Sequence, residues 1–374
     1  MTSQLNPPLV SIVITSYNYA KYIRDALQSV SEQTYRPLEC IVVDDCSTDN
    51  SAEVINAEIE ELSKKNNDIS YTFCSTGKNS GQLTAFLLGI SKTRGVFINF
   101  LDADDFLLPD FISTHVQVHL ENLVAFTTSE PIEIDSENQV HSFQSNSGNA
   151  YTALKTERNI RPVLPFEEWR KSLNEGSEAQ NFKTSGKYIL NRSNLKWNSW
   201  YWYPTSSGLF RKSALRYLCK ADPEKWRICA DWLLFSYASI MGNSSFIPCR
   251  LSVYRRHGDN GFALDALIGE YRYVTKKKRM LSDEFQYKQL PLSLIRIFAC
   301  LKDDFPDLSD ELIKTVIYHS GPDFLLKNRD EVFSYLIYPH FYQRVILYLK
   351  TWIRNRQLNK KNCNAIRLHD DECR

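Results

Sequence analysis

Four short β-branched or apolar runs, each separated from the next by a stretch with helical spacing, occupy the first 101 residues and constrain the fold more than any other feature. Val10 to Thr15 is followed by Ile23, Leu27 and Val30 at helical spacing. Leu38 to Val43 gives a second strand, after which Ser47 or Asp49 is placed to cap a helix carrying Val54, Ile55, Ile59 and Leu62. Ile69 to Cys74 is a third strand. Leu83, Leu87 and Ile90 mark a further helix that Gly95 is expected to stop, and Val96 to Leu101 makes the fourth strand. Leu123 to Thr128 suits one more strand. This β-α-β-α-β-α-β order predicts an α/β fold: a mostly parallel, Rossmann-like sheet flanked by helices, with right-handed crossovers.

In such sheets ligands gather beyond the carboxyl ends of the strands. Thr15-Ser16-Tyr17-Asn18, Asp44-Asp45 and Asp102-Ala103-Asp104-Asp105 all fall at those ends, so one crevice is expected to collect them. Three carboxylates in four residues read either as a solvated acidic turn before the helix near Pro109 or as ligands for a hard divalent cation. Side chains at i and i+2 of an extended segment point to one side, which lets Asp102 and Asp104 share an ion while Asp105 starts the loop. The convergence of the three segments favours the cation. Neither GxxxxGK[ST] nor GxGxxG follows a strand, so two common nucleotide-binding solutions are unsupported.

Forty-five basic against 44 acidic side chains give no overall field that would draw nucleic acid. The nine cysteines, an odd number with no CxxC pair, argue against a disulfide framework or a zinc site and fit reduced thiols. The first residues lack a basic segment followed by an apolar core, and no run reaches the length of a membrane span. A cytoplasmic protein is expected, either free or peripheral at the inner face of a membrane.

Residues 131–196 are polar, with a loop expected at Ser145 to Asn149. Regularity returns at Ser207 to Leu218. A helix begins at Ala230-Asp231-Trp232 and ends near Gly242, and a strand-like stretch leads to Tyr254-Arg255-Arg256-His257. Beyond residue 262 the pattern is largely helical, with a basic group at Lys276 to Arg279. Trp197, Trp200, Tyr201, Trp202 and Tyr203 form the densest aromatic cluster, read first as core packing and second as a sugar platform. Phe341, Val345, Tyr348, Leu349, Trp352 and Ile353 repeat at helical spacing, and residues 341–374 hold eight Lys/Arg against three Asp/Glu. That stripe suits packing on the protein body or a basic helix in peripheral contact with a membrane.

With these residues in view, the chain resembles the family-2 glycosyltransferases of the nucleotide-sugar-dependent GT-A type over residues 9–260. The resemblance runs through Val10 to Asn18, Gln33-Thr34-Tyr35, Ile41 to Asp49, Asn79-Ser80-Gly81, Phe100 to Asp105, Ala230-Asp231-Trp232, Ile247-Pro248 and Tyr254 to His257. It implies that Thr15, Tyr17 and Asp45, with Asp44 nearby, hold the nucleotide base. It also implies that Asp102, Asp104 and Asp105 hold Mn²⁺ or Mg²⁺ on the diphosphate; Lys78, near a helix start, is open to two readings, an approach to the same phosphates or a simply solvated lysine. Asp231 corresponds to the family's acceptor-deprotonating acid, although the usual Glu-Asp pair is Ala230-Asp231 here; a helix cap is the other role open to it. His257, with Arg255 or Arg256, resembles a segment that closes over the metal or diphosphate; a surface basic turn is the other reading open to it.

The resemblance implies metal-dependent, inverting transfer of one sugar from a UDP- or dTDP-sugar to an acceptor hydroxyl, a carbohydrate or other alcohol, in bacterial surface-polysaccharide or glycan assembly. Residues 1–130 are expected to bind the nucleotide-sugar and 131–261 to supply the acceptor site and base. Residues 262–374 form a mainly helical C-terminal region. The rival readings are a sugar-phosphate nucleotidylyltransferase, which wants a glycine-rich phosphate loop where Thr15 to Asn18 stand, and an inactive GT-A-like binding protein, hinted at by Ala230.

Overall fold

A computed structural model describes residues 6–142, 164–165, 189–191, 204–257, 289–335 and 351. The chain divides into two compact units, residues 1–282 and 283–374.

The first unit opens with the expected alternation: β1 (Val10–Ser16), α1 (Ile23–Ser31), β2 (Leu38–Asp44), α2 (Ser51–Lys65), β3 (Ile69–Ser75), α3 (Gln82–Lys92) and β4 (Phe97–Asp102). Every residue of β1 and β2 is buried, as a central parallel strand covered on both faces requires. Helix α1 turns Ile23, Ala26, Leu27 and Val30 onto one buried face, the i, i+3, i+4, i+7 spacing read from the sequence. Ile23, Leu27 and Val30 each contribute about 1.5–3 kcal/mol by leaving water. Gly89 lets α3 lie on β1, since a Cβ there would come within 2.3 Å of Val13 Cγ1. Asp49 accepts the Ser51 amide at 3.0 Å, so it, and not Ser47, serves the start of α2. Gly95 does not end α3; Thr93 caps it, and the Gly95 amide donates to Ser11 Oγ at 2.9 Å.

The rest of this unit builds β5 (Phe106–Leu107), α4 (Phe111–Glu121), β6 (Phe126–Asp135), β7 (Gln139–Ser142), β8 (Leu164–Pro165), β9 (Ile189–Asn191), β10 (Gly208–Arg211), α5 (Ala230–Met241) and β11 (Ser244–Arg256). The sheet runs β3-β2-β1-β4-β10-β6-β11-β5. The pairs β3-β2, β2-β1, β1-β4 and β6-β11 are parallel, whereas β10 is antiparallel to both β4 and β6. Six of these eight strands therefore share one direction, the mostly parallel α/β sheet expected for a GT-A fold, and β10 is an antiparallel wedge within it.

In the second unit, α6 (Leu290–Ala299) buries Leu294, Ile295, Ile297 and Phe298. Helix α7 (Pro306–Lys327) bends at Gly321, whose φ of 81° interrupts it. Ser309 Oγ of α7 donates to the Phe298 carbonyl at 2.8 Å. The aromatic group at 197–203, the loop at 145–149, the basic group at 276–279 and all of the 341–353 stripe except residue 351 lie outside the described residues. Among the described residues, no helix is long and apolar enough to cross a membrane.

Candidate functional site

Strand register creates the site. Ser16 pairs with Asp44 and Thr15 with Asp102, so the carboxyl ends of β2, β1 and β4 finish level with one another. Thr15 Oγ1 donates to Asp102 Oδ1 at 3.3 Å, and the Thr15 carbonyl accepts the Ala103 amide at 3.1 Å. The acidic run thus leaves the sheet where β1 also ends.

Beyond β4, the carboxylates part company. Asp105 is fully buried and turned inward: Ser206 Oγ donates to its Oδ2 at 2.6 Å and the Arg255 amide to its Oδ1 at 2.9 Å. The Asp102 amide donates to the same Ser206 hydroxyl at 3.1 Å. Asp104 turns the other way, and its Oδ2 lies 3.0 Å from Nε2 of His257. The imidazole is fixed by two tyrosines: Tyr22 stacks on it at 4.9 Å and Tyr19 meets it edge-on at 5.7 Å. Asp105, expected beside Asp102 and Asp104 as a cation ligand, therefore spends both oxygens on holding the loop together. The reason is β10: the wedge delivers Ser206 beneath the loop while β11 delivers the Arg255 amide.

Negative charge is concentrated here. Burial holds the Asp102 carboxyl well above the usual carboxylate range, and the charges of Asp104 and Asp231 push the same way against the Thr15 hydrogen bond. Burial likewise raises Asp105, with Asp104 and Asp102 adding to it. Asp231, in the first turn of α5, is pushed up to about 6 by enclosure of its carboxyl, opposed by the backbone amides of Trp232 and of Asp231 itself. The structure thus brings the expected general base into the electrostatic reach of the acidic run.

Arg255 and Arg256 both engage protein partners in this arrangement. Arg255 is 2% exposed. Its guanidinium donates to the Asp104 carbonyl at 3.0 Å, to Asp25 Oδ2 at 2.6 Å and to Asn138 Oδ1. It also lies over the Tyr22 ring at 4.9 Å. Arg256 pairs with Glu133 at 2.8 Å. Their placement inside a strand that pairs with β6 turns them toward internal partners.

At the β2 end, Asp44 accepts the Ser47 amide at 2.9 Å and its hydroxyl at 2.5 Å. Asp45 is also occupied: it accepts from Thr76 Oγ1 at 2.7 Å, the Ser80 amide at 2.8 Å and the Gly81 amide at 2.6 Å. Its carboxylate pins the loop before α3, a task its expected contact with a base does not require. Tyr17 is 38% exposed at the rim, Thr15 is buried beneath it, and Lys78 stands exposed on the β3–α3 loop. Sequence reasoning missed Ser206, Gln82 and the Tyr19/Tyr22 pair. The spacing of those tyrosines just before α1 was the only available signal, because the other contacts cross 100 residues or more.

Among the described residues, no group of three or more His, Cys, Asp or Glu is arranged to hold an ion by itself. The carboxylates of Asp102 and Asp104 still suit a divalent cation completed by a ligand, because Mg²⁺-like ions commonly take one or two carboxylates and fill the remainder from phosphate and water. Buried carboxylates with raised proton affinity are a second sign that positive charge is wanted here.

The chain is 30% identical over 254 residues to an uncharacterized glycosyltransferase of Nostoc sp., covering 67% of this chain and 66% of that one. It is 35% identical over 123 residues to an uncharacterized glycosyltransferase of Haemophilus influenzae, which covers 33% of this chain and 47% of the relative. It is 32% identical over 120 residues to TuaG of Bacillus subtilis, a proposed teichuronic acid biosynthesis glycosyltransferase, covering 32% and 45%. The chain thus spans about two thirds of the first relative and under half of the other two. Among solved structures it is similar to Staphylococcus aureus TarS 1-349 in complex with UDP-GlcNAc, with 14% identity, a TM-score of 0.45 and coverage of 87% and 79%. It is also similar to the mannosyltransferase PcManGT of Pyrobaculum calidifontis in complex with GDP-Man and Mn²⁺, with 15% identity, a TM-score of 0.44 and coverage of 92% and 86%. The model of the glycosyl transferase family 2 matches residues 11–214, which include the ends of β1, β2 and β4 and the Ser206 wedge, and the chain belongs to that family.

Proposed function

We propose that this glycosyltransferase moves one sugar from a UDP- or dTDP-sugar to an acceptor hydroxyl, with inversion at the anomeric carbon and with Mn²⁺ or Mg²⁺ as cofactor. The observation that carries the reading is the meeting of two acidic groups of different kind: the Asp102–Asp104 run at the end of β4, and Asp231, whose charge reaches Asp102.

A hydroxyl attacking the anomeric carbon must lose its proton. A carboxylate with a proton affinity near neutrality accepts that proton efficiently at physiological pH, and Asp231 at about 6 is suited to it. A divalent cation at the site would supply neutralisation of the charge that grows on the departing diphosphate. Asp102, Asp104 and His257 would hold it, and Asp105 with Ser206 would keep their loop rigid. Attack by the deprotonated hydroxyl opposite the leaving diphosphate is what inverts the carbon.

For the nucleotide, Tyr17 offers an exposed ring face for stacking, and Thr15, Asp44 and Asp45 line the floor. A carboxylate accepts the N3 proton of uracil or thymine, and cytosine has none at N3. The remaining lone pairs of Asp45 would serve that contact. Lys78 is available to the phosphates. In this reading residues 1–130 bind the donor and 131–261 provide the acceptor side and the base. The name of TuaG supports surface-polysaccharide or glycan assembly as the setting.

The test is a titration of UDP, dTDP and CDP with and without Mn²⁺. UDP and dTDP are expected to bind more tightly than CDP, and Mn²⁺ to strengthen both. Three equal affinities, unchanged by the metal, would sink the reading. Release of UDP from a UDP-sugar without acceptor separates an active transferase from an inactive binder.

A further inference from the structure

The loop that begins α3 and the strap that begins α5 are stitched together across 148 residues. Arg227 Nη2 donates to the Asn79 carbonyl at 3.1 Å and to Asn79 Oδ1 at 2.5 Å. The Gln82 amide donates to the Arg227 carbonyl at 2.9 Å. The Ala230 amide, the first of α5, donates to Gln82 Oε1 at 2.8 Å. Gly81 makes the approach possible: its φ is 88°, and a Cβ would lie 2.3 Å from Arg227 Cα. From the other side, Asp45 holds the Ser80 and Gly81 amides.

Helix α5 needs that help. The first amides of a helix have no partner within it, and Ser, Thr, Asp or Asn usually supplies one from the N-cap position. Here the N-cap is Cys229, which makes no side-chain cap bond and adopts the left-handed region at φ 58°. A β-carbon in that region costs about 1–2 kcal/mol. Gln82 provides the missing acceptor from another helix, one residue before Asp231.

We infer that Gln82 is a positioning residue for Asp231. By capping α5 from α3, it fixes the turn from which the carboxylate projects, and the Ser80–Gly81 amides tie that turn to Asp45 at the nucleotide end of the sheet. The inference rests on the reading of Asp231 as the general base. Gln82 acts only through the Ala230 amide and the strap behind it.

Two substitutions separate the acceptor from the packing: Gln82→Met keeps length and loses the acceptor, and Gln82→Glu keeps both. Hydrogen exchange of the peptide spanning residues 227–233 is expected to be about tenfold faster at the helix start in Gln82→Met, the scale of one lost hydrogen bond, and near native in Gln82→Glu. Turnover is read as UDP release from UDP-glucose and UDP-N-acetylglucosamine with Mn²⁺. Gln82→Met is expected to lower kcat about tenfold with KM unchanged, Gln82→Glu to restore most of it, and Gln82→Met combined with Asp231→Asn to be no slower than Asp231→Asn alone. Native exchange in Gln82→Met overturns the inference, as does a kcat loss that adds to that of Asp231→Asn or comes with an equal rise in KM. If Gln82→Met does not fold, Gln82→Asn, whose amide is too short to reach, replaces it in both measurements. Native turnover in Asp231→Asn would instead remove the base assignment and this inference together, whereas a dead Asp231→Asn beside a native Gln82→Met would remove this inference alone.

Discussion

Nε2 of His257 stands 3.0 Å from Oδ2 of Asp104 although 153 residues separate them, and the contact closes the acidic run of β4 with the last residue of β11's extension. Tyr22, stacked on the imidazole, holds its plane from the α1 side. A carboxylate and an imidazole are donor types that divalent cations take from proteins, and in the proposed site they would act with Asp102 and phosphate oxygens.

Asp104→Ala and His257→Ala are each expected to abolish the gain in UDP affinity that Mn²⁺ confers on the native protein, while leaving metal-free UDP affinity unchanged. Losing even a residue that only supports a metal ligand commonly costs about 10- to 100-fold in metal affinity, so losing a ligand is expected to cost at least that much. Calorimetric titration with and without Mn²⁺ checks it, and an undiminished metal effect in both variants would move the cation elsewhere.

Asp231→Asn is expected to lose about 10²- to 10⁴-fold in transfer rate with donor affinity nearly native. Asparagine preserves shape and capping ability, so a residue that only capped the helix would leave turnover intact. The raised proton affinity also sets a pH profile. A base works deprotonated, so the native rate should fall as pH drops through about 6. A rate independent of pH between 5 and 8, measured by UDP release, would contradict this assignment.

Asp45→Ala is expected to lower the thermal midpoint of the ligand-free protein by several degrees. The Ser80 and Gly81 amides that Asp45 accepts are buried, and each buried donor left unpaired costs about 1–3 kcal/mol. If the carboxylate also reads the base, the same variant loses its preference for UDP over CDP. Calorimetry on the free protein and competition between the two nucleotides separate the structural effect from the recognition effect.

Acid is expected to destabilise the first unit through His115 and His119. Both are buried and neutral: His115 Nδ1 lies 2.7 Å from Thr127 Oγ1, and His119 Nε2 lies 3.1 Å from the Leu209 carbonyl. Burial holds His115 well below its ordinary value of 6.5 and pushes His119 down to about 3. Below pH 6.5 the unfolded chain therefore binds protons that the native state refuses, and stability falls as pH falls toward 3. Thermal midpoints measured from pH 7 to 4 test this. Replacement by His119→Leu should flatten the dependence, and an unaltered slope would assign the acid sensitivity to other groups.

Local pattern was enough for much of this molecule. Four strands, the helices between them and the gathering of Thr15, Asp44 and Asp102 at one edge follow from periodicity, because a fully buried parallel strand and a one-faced helix each leave a mark within seven or eight residues. The motif order was legible for the same reason: the motifs at Val10 to Asn18, Ile41 to Asp49, Phe100 to Asp105 and Tyr254 to His257 sit where β1, β2, β4 and β11 end. Tertiary structure alone decided how the acidic residues divide their work. Asp105 faces Ser206 and the Arg255 amide because an antiparallel strand from residues 208–211 enters between β4 and β6. Arg255 is a buried strut and Asp45 a tether because their partners, Asp25 and Gly81, arrive from α1 and from the loop before α3. Gln82 caps a helix that begins 148 residues later. Such roles depend on which hydrogen-bond partner packing brings within 3 Å, and that is set by sheet register and by the seating of helices on it, neither of which is written in the spacing of neighbouring residues.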